Sequence, residues 1–163
     1  MKRLIYADNA ATTKLDNDAF EAMKPYGPHD AECSDTSPDG VAVREFTGNC
    51  HEMLASELKR LTEDKHITAD KIVIIGAHAP NHTSIGESLN VGGFQIVSRP
   101  VASNEKNCIR YYTYMKFKGC ESEVVILLDV DTNDPRWDTK GLYTAMSRAT
   151  HQLVILNKSN RSV

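Results

Sequence analysis

Apolar and polar positions along the chain follow two alternating rhythms. "KIVIIG", "EVVILLDV" and "QLVILN" are nearly continuous apolar runs, as expected of strands buried on both faces. "VAVREF", "FQIVS" and "IRYYTY" are shorter and more mixed, and predict further strands. "CHEMLASELKRLTED" repeats at helical spacing, with Met53, Leu54, Leu58 and Leu61 on one side and Asn49 as its N-cap. "TSIGESLN" predicts a short helix, and so does "GLYTAMSRAT", whose Leu142, Ala145, Met146 and Ala149 form a stripe. Apolar strands alternating with amphipathic helices predict an α/β domain, a mostly parallel sheet with helices on both faces. In such sheets ligands bind beyond the carboxyl ends of the strands. Two stretches fit that rule, the one leading from "IRYYTY" into "MKFKGCE" and the turn region before Arg148.

The pattern also divides the chain. Residues 1–26 carry a possible strand, Leu4 to Tyr6, and a helix from Asn17 to Lys24 capped by Asp16. Residues 27–40, "GPHDAECSDTSPDG", read as a linker. The main domain runs over 41–158, with a tail at 159–163.

Composition changes this picture little. The 163 residues are 40% hydrophobic and 25% charged, ordinary for a globular protein. The net charge of −3 argues against a stand-alone nucleic-acid binder, so any phosphate contact must be local or shared with another domain. Four cysteines without C-x-x-C spacing predict reduced, cytoplasmic thiols, and no apolar run reaches the length of a membrane span.

Candidate chemistry is sparse. The phosphate-loop pattern G-x-x-x-x-G-K-[ST] is absent. "VVILLDVD" has the look of a Mg²⁺-binding strand end, with Asp129 and Asp131, but a buried strand running into an acidic loop is the better reading. His78 and His82 are four apart with Pro80 between them, and read as loop histidines. "TYMKFKGCESEVVILLD" is more informative. Gly119 permits a tight turn, Thr113, Lys116 and Lys118 can reach phosphates, and Glu121 can accept from a sugar hydroxyl. Arg148 stands about 110° from the middle of its helix stripe, at the border of the core. It is either a surface arginine packing its stem or a guanidinium aimed at phosphate oxygens.

The two segments together, "TYMKFKGCESEVVILLD" then "LYTAMSRATHQLVIL", resemble motifs V and VI of superfamily 1 helicases of the UvrD/Rep type. The resemblance covers roughly residues 38–158 and implies the second RecA-like lobe. It implies that Arg148 is an arginine finger for ATP bound mainly to the first lobe, with Tyr143 and Ser147 positioning its helix. It further places Glu121 and Gly119 beside the nucleotide, and Thr113 and Lys116 on the single-stranded DNA side. Met115 stands where the family has a DNA-contacting histidine, and the motif IV arginine has no counterpart. The first lobe, with its phosphate loop, would be a separate partner supplying the site for ATP and Mg²⁺. The chain alone is therefore expected to be inactive and to need no cofactor.

"RLIYADNAATTKLDNDAFEAMKPY" resembles the start of cysteine desulfurases, pyridoxal-phosphate enzymes, which implies a chimera. Two other functions remain open: a single-stranded nucleic-acid-binding module using Tyr111, Tyr112, Tyr114 and Phe117 as stacking faces, and a remnant of a pyridoxal-phosphate enzyme.

Overall fold

The computed structural model describes residues 41 to 159. The expected elements and resemblance of residues 1–26, the 27–40 linker and residues 160–163 of the tail lie outside the described residues.

Seven strands form one sheet: β1 (Arg44–Gly48), β2 (Ile72–Gly76), β3 (Asn90–Val91), β4 (Phe94–Val97), β5 (Cys108–Thr113), β6 (Ser122–Val130) and β7 (Ala149–Lys158). Their order is β1-β7-β6-β2-β5-β4-β3. Every pairing is parallel except β3 with β4. The three apolar runs take adjacent places, β7-β6-β2, because only strands covered on both faces can bury every side chain. All five residues of β2 are buried, as are Val124 to Val130 of β6.

Among the described residues, one α-helix covers each face. On the first, α1 (Cys50–Lys59) sets Leu54 and Leu58 against Ile72, Ile74, Ile126, Leu128, Val154 and Leu156. Asn49 caps α1 by accepting from the amides of His51 and Glu52, as its sequence predicts. On the second, α2 (Thr139–Met146) sets Leu142, Ala145 and Met146 over Val73, Ile75, Val125, Leu127, Leu153 and Ile155, with Phe117 and Trp137 beside them. Each fully buried aliphatic side chain contributes roughly 1.5–3 kcal/mol relative to exposure.

Three elements differ from their sequence reading. The long helix stops at Lys59 and continues as one wide π turn over Arg60–Asp64, which still buries Leu61. No helix forms over 83–90: Gly86 and Leu89 take positive φ of 75° and 49°, and Ser84 is tied to Asp129 across the fold. The "GLYTAMSRAT" helix ends at Met146, and the chain turns through Ser147 and Arg148 into β7. There the ladder to β6 claims the backbone, so Ala149 packs into the second face from a strand.

Candidate functional site

The amino ends of β6 and β7 lie side by side. Ser122 and Ala149 are register partners, and the Ser122 amide donates to the Arg148 carbonyl at 3.1 Å. The turn entering β6 is therefore held next to the turn entering β7. Gly119 has φ +83°, a conformation L side chains avoid, and nothing lies within 4 Å of where its Cβ would stand. A 3.1 Å bond from the Cys120 amide to the Phe117 carbonyl closes that turn, and Glu121 is exposed beyond it.

Helix α2 delivers the second half of the site. Its N-cap Asp138 accepts from the Gly141 amide at 2.6 Å. At its far end Ser147 donates to the Thr144 carbonyl at 3.1 Å. Arg148 is half-buried: Nε donates to the Thr144 carbonyl at 3.1 Å, and Nη2 to Ser147 Oγ at 3.0 Å. The guanidinium thus caps the Thr144 carbonyl near the end of its own helix, a favourable place for a cation. Tyr143, one turn earlier, packs half-buried against the second core face. Gly119, Glu121, Ser147 and Arg148 therefore share one end of the sheet, with Tyr143 on the helix leading there.

Thr113 and Lys116 do not join them. Thr113 ends β5 and pairs with Gly76 at the end of β2; its carbonyl accepts from the amides of Lys116 and Phe117, at 2.9 and 3.1 Å. Both β5 and β6 run parallel to β2, so residues 114–121 must cross the sheet from its carboxyl to its amino end. Phe117, 3% exposed and stacked on Tyr112 at a centroid distance of 5.3 Å, anchors the crossing. The rule that ligands bind beyond carboxyl ends thus fits Thr113 and Lys116, but not Arg148 and Glu121. The amino-end pair is brought together by a crossing and a helix that both return to that end.

At the carboxyl end a cluster appears that the sequence did not signal. His78 Nε2 lies 2.7 Å from Asp134 Oδ2, and Arg136 Nη1 lies 2.7 Å from His78 Nδ1. Hydrogen bonds from the Arg136 amide and from His78 hold the Asp134 carboxyl below its usual range. Trp137 is buried, stacks on Tyr114 at 5.9 Å, and donates its indole N–H to the Asp129 carbonyl at 3.0 Å. The His78 contacts join segments more than fifty residues apart, so no local pattern carries them.

Asp129 keeps the structural reading. Its carboxylate is buried and accepts from Ser84 N at 2.7 Å and Ser84 Oγ at 2.5 Å, with Lys158 Nζ at 3.7 Å. Asp131 is occupied by the backbone and side-chain N–H groups of Asn133. Among the described residues, no group of three or more His, Cys, Asp or Glu could hold a metal. No helix among them is long and apolar enough to cross a membrane.

Residues 109–156 match the UvrD-like helicase C-terminal domain family. That stretch runs from β5 into β7 and contains all seven candidate residues, Thr113, Lys116, Gly119, Glu121, Tyr143, Ser147 and Arg148. The fold as a whole is similar to the crystal structure of the C-terminal domain of a possible DNA helicase from Lactobacillus plantarum WCFS1. The TM-score is 0.64 at 16% identity, over 90% of this chain and 88% of that one. No curated protein matches the chain. The architecture is RecA-like: a mostly parallel sheet with helices on both faces. Neither match is described as a cysteine desulfurase.

Proposed function

We propose that this chain is the second motor lobe of a UvrD/Rep-type DNA helicase, completing an ATP site between lobes and gripping single-stranded DNA. The observation that carries the nucleotide half is the Ser122–Arg148 backbone bond, which aligns the Gly119–Glu121 turn with the guanidinium at one rim. In this reading the Arg148 fork turns from its helix carbonyl toward the γ-phosphate. A fixed cation there offsets charge that develops during phosphoryl transfer. Glu121 accepts from a ribose hydroxyl, and the side-chain-free Gly119 lets the nucleotide approach the backbone. In this reading Mg²⁺ would be held with the phosphate loop of the first lobe and would neutralise the phosphates there. Thr113 and Lys116 lie on the opposite end, on the strand-binding side. The crossing anchored by Phe117 joins the two ends.

Alone, the chain turns over no ATP, because the phosphate loop and the water-positioning group lie on the other lobe. The cysteine-desulfurase-like sequence of residues 1–26 brings no pyridoxal-phosphate chemistry of its own. The test is an ATPase assay of the chain with and without a separately produced first lobe. Turnover should require both, and turnover by this chain alone would overturn the split site.

A further inference from the structure

Arg136 is exposed, yet its position is fixed from several sides. Its amide donates to the Asp134 carboxylate at 2.9 Å, and Pro135 opens the short helical turn that holds it. The next residue, Trp137, is 4% exposed and pinned by its indole bond and by Tyr114. The side chain is fixed as well, by His78. Asp134 only accepts, so the imidazole Nε2 carries the proton toward it, and Arg136 Nη1 rests against the same ring, 2.7 Å from Nδ1. Nη1 is also 3.2 Å from Nε2, so the guanidinium nitrogen stands over the ring face between the two ring nitrogens.

The consequence is conformational. The Arg136 side chain rests on the His78 ring, and Asp134 holds that ring from Nε2. An exposed arginine ordinarily loses rotamer freedom when a ligand fixes it. Here the imidazole has already restricted it. The location matters too. A Cβ on Gly141 would lie 3.2 Å from the Arg136 carbonyl and 3.0 Å from the Tyr114 ring, so the two chain segments converge there. Tyr114 directly follows Thr113 and is two residues before the exposed Lys116.

We infer that Arg136, aimed by His78, is a phosphate contact of the strand-binding face and extends it from Thr113 and Lys116 across to the loop after β6. This rests on the strand-binding half of the proposed function. The chemistry recognised is the phosphodiester backbone, not bases.

The test is binding of a fluorescent oligothymidylate of about 16 nucleotides to the full chain, measured across a salt series. Arg136→Gln should weaken binding about fivefold at low salt and reduce the salt slope by about 0.7, the value of one single-strand phosphate contact. Arg136→Lys should restore the slope but only part of the affinity, because lysine lacks the planar guanidinium that rests on His78. Lys59→Gln removes the same charge from exposed helix α1, which packs on the first face, and should leave the slope unchanged. Equal effects of Arg136→Gln and Lys59→Gln would overturn the inference by showing a mere net-charge effect. Binding that depends on Lys116 but not on Arg136 would overturn it while leaving the proposed function standing. Absence of any salt-sensitive binding would remove both.

Discussion

The Ser122 amide and the Arg148 carbonyl are joined at 3.1 Å, at the point where the two central strands β6 and β7 begin. This bond places a glycine turn and a guanidinium on one rim although they lie almost thirty residues apart. Arg148→Ala is therefore expected to act in two separable ways. Loss of its helix-capping contacts costs about 0.5–1 kcal/mol of stability, readable as a small drop in Tm. In the two-lobe ATPase assay the same substitution should lower turnover by ~10³–10⁵. A turnover loss no larger than the stability change explains would leave Arg148 with capping alone.

Asp129 tests how the carboxyl-end loops are held. Its φ is +57°, which Asn and Asp tolerate better than other side chains. Asp129→Asn preserves that conformation but gives one Ser84 donor no acceptor, so a loss of about 1–3 kcal/mol is expected in chemical denaturation. Asp129→Gly relieves the backbone yet removes every carboxylate bond, and should be the less stable of the two. If the glycine variant is the more stable, backbone strain and not the Ser84 contacts dominates this site.

Glu57 is 4% exposed on α1 and takes Arg44 on both oxygens, at 3.1 and 2.8 Å, and Arg60 at 3.0 Å. Arg60 reaches on to the buried Gln152 at 3.2 Å. This network ties β1, α1 and β7 together. Glu57→Gln keeps the shape but replaces an acceptor with a donor facing two cations. Charged hydrogen bonds are worth about 1.5–3 kcal/mol each, and a loss in that range is expected. A Glu57→Leu variant as stable as wild type would show that packing alone suffices.

Burial, and then the Asp129 charge, push the Cys50 thiol from the ordinary 9.0 up to about 11. A raised thiol pKa means that the native state holds the proton more tightly than the unfolded chain. The resulting stability is complete below pH 9 and is lost as pH rises toward about 11. Thermal melts of wild type against Cys50→Ala should therefore converge between those values. At pH 8 a thiol reagent followed by peptide mapping should label exposed Cys120 in the native state, and Cys50 only on unfolding.

Much of this fold is legible in the pattern of side chains, because burial on both faces leaves an unmistakable apolar run. "KIVIIG", "EVVILLDV" and "QLVILN" are the three adjacent central strands. Asn49 and the Leu54–Leu58–Leu61 stripe were readable for the same local reason. Elements whose form depends on distant partners were not. "TSIGESLN" has helical spacing, but Ser84 gives its N–H and hydroxyl to Asp129, and no helix forms. "GLYTAMSRAT" continues a helical stripe on paper, but the β6 ladder takes Ala149 into a strand.

By itself, then, the sequence determined which segments are core strands, where α1 is capped, and which residue types sit in the Gly119–Glu121 and Tyr143–Arg148 stretches. These are properties of neighbours along the chain, set by backbone periodicity and local hydrogen bonding. Only the tertiary structure decided that Arg148 and Glu121 meet at the amino end while Thr113 and Lys116 stand at the other. It alone decided that His78 orients Arg136. Both outcomes depend on the direction of each strand and the path of each crossing, and those follow from how the whole chain closes its two cores.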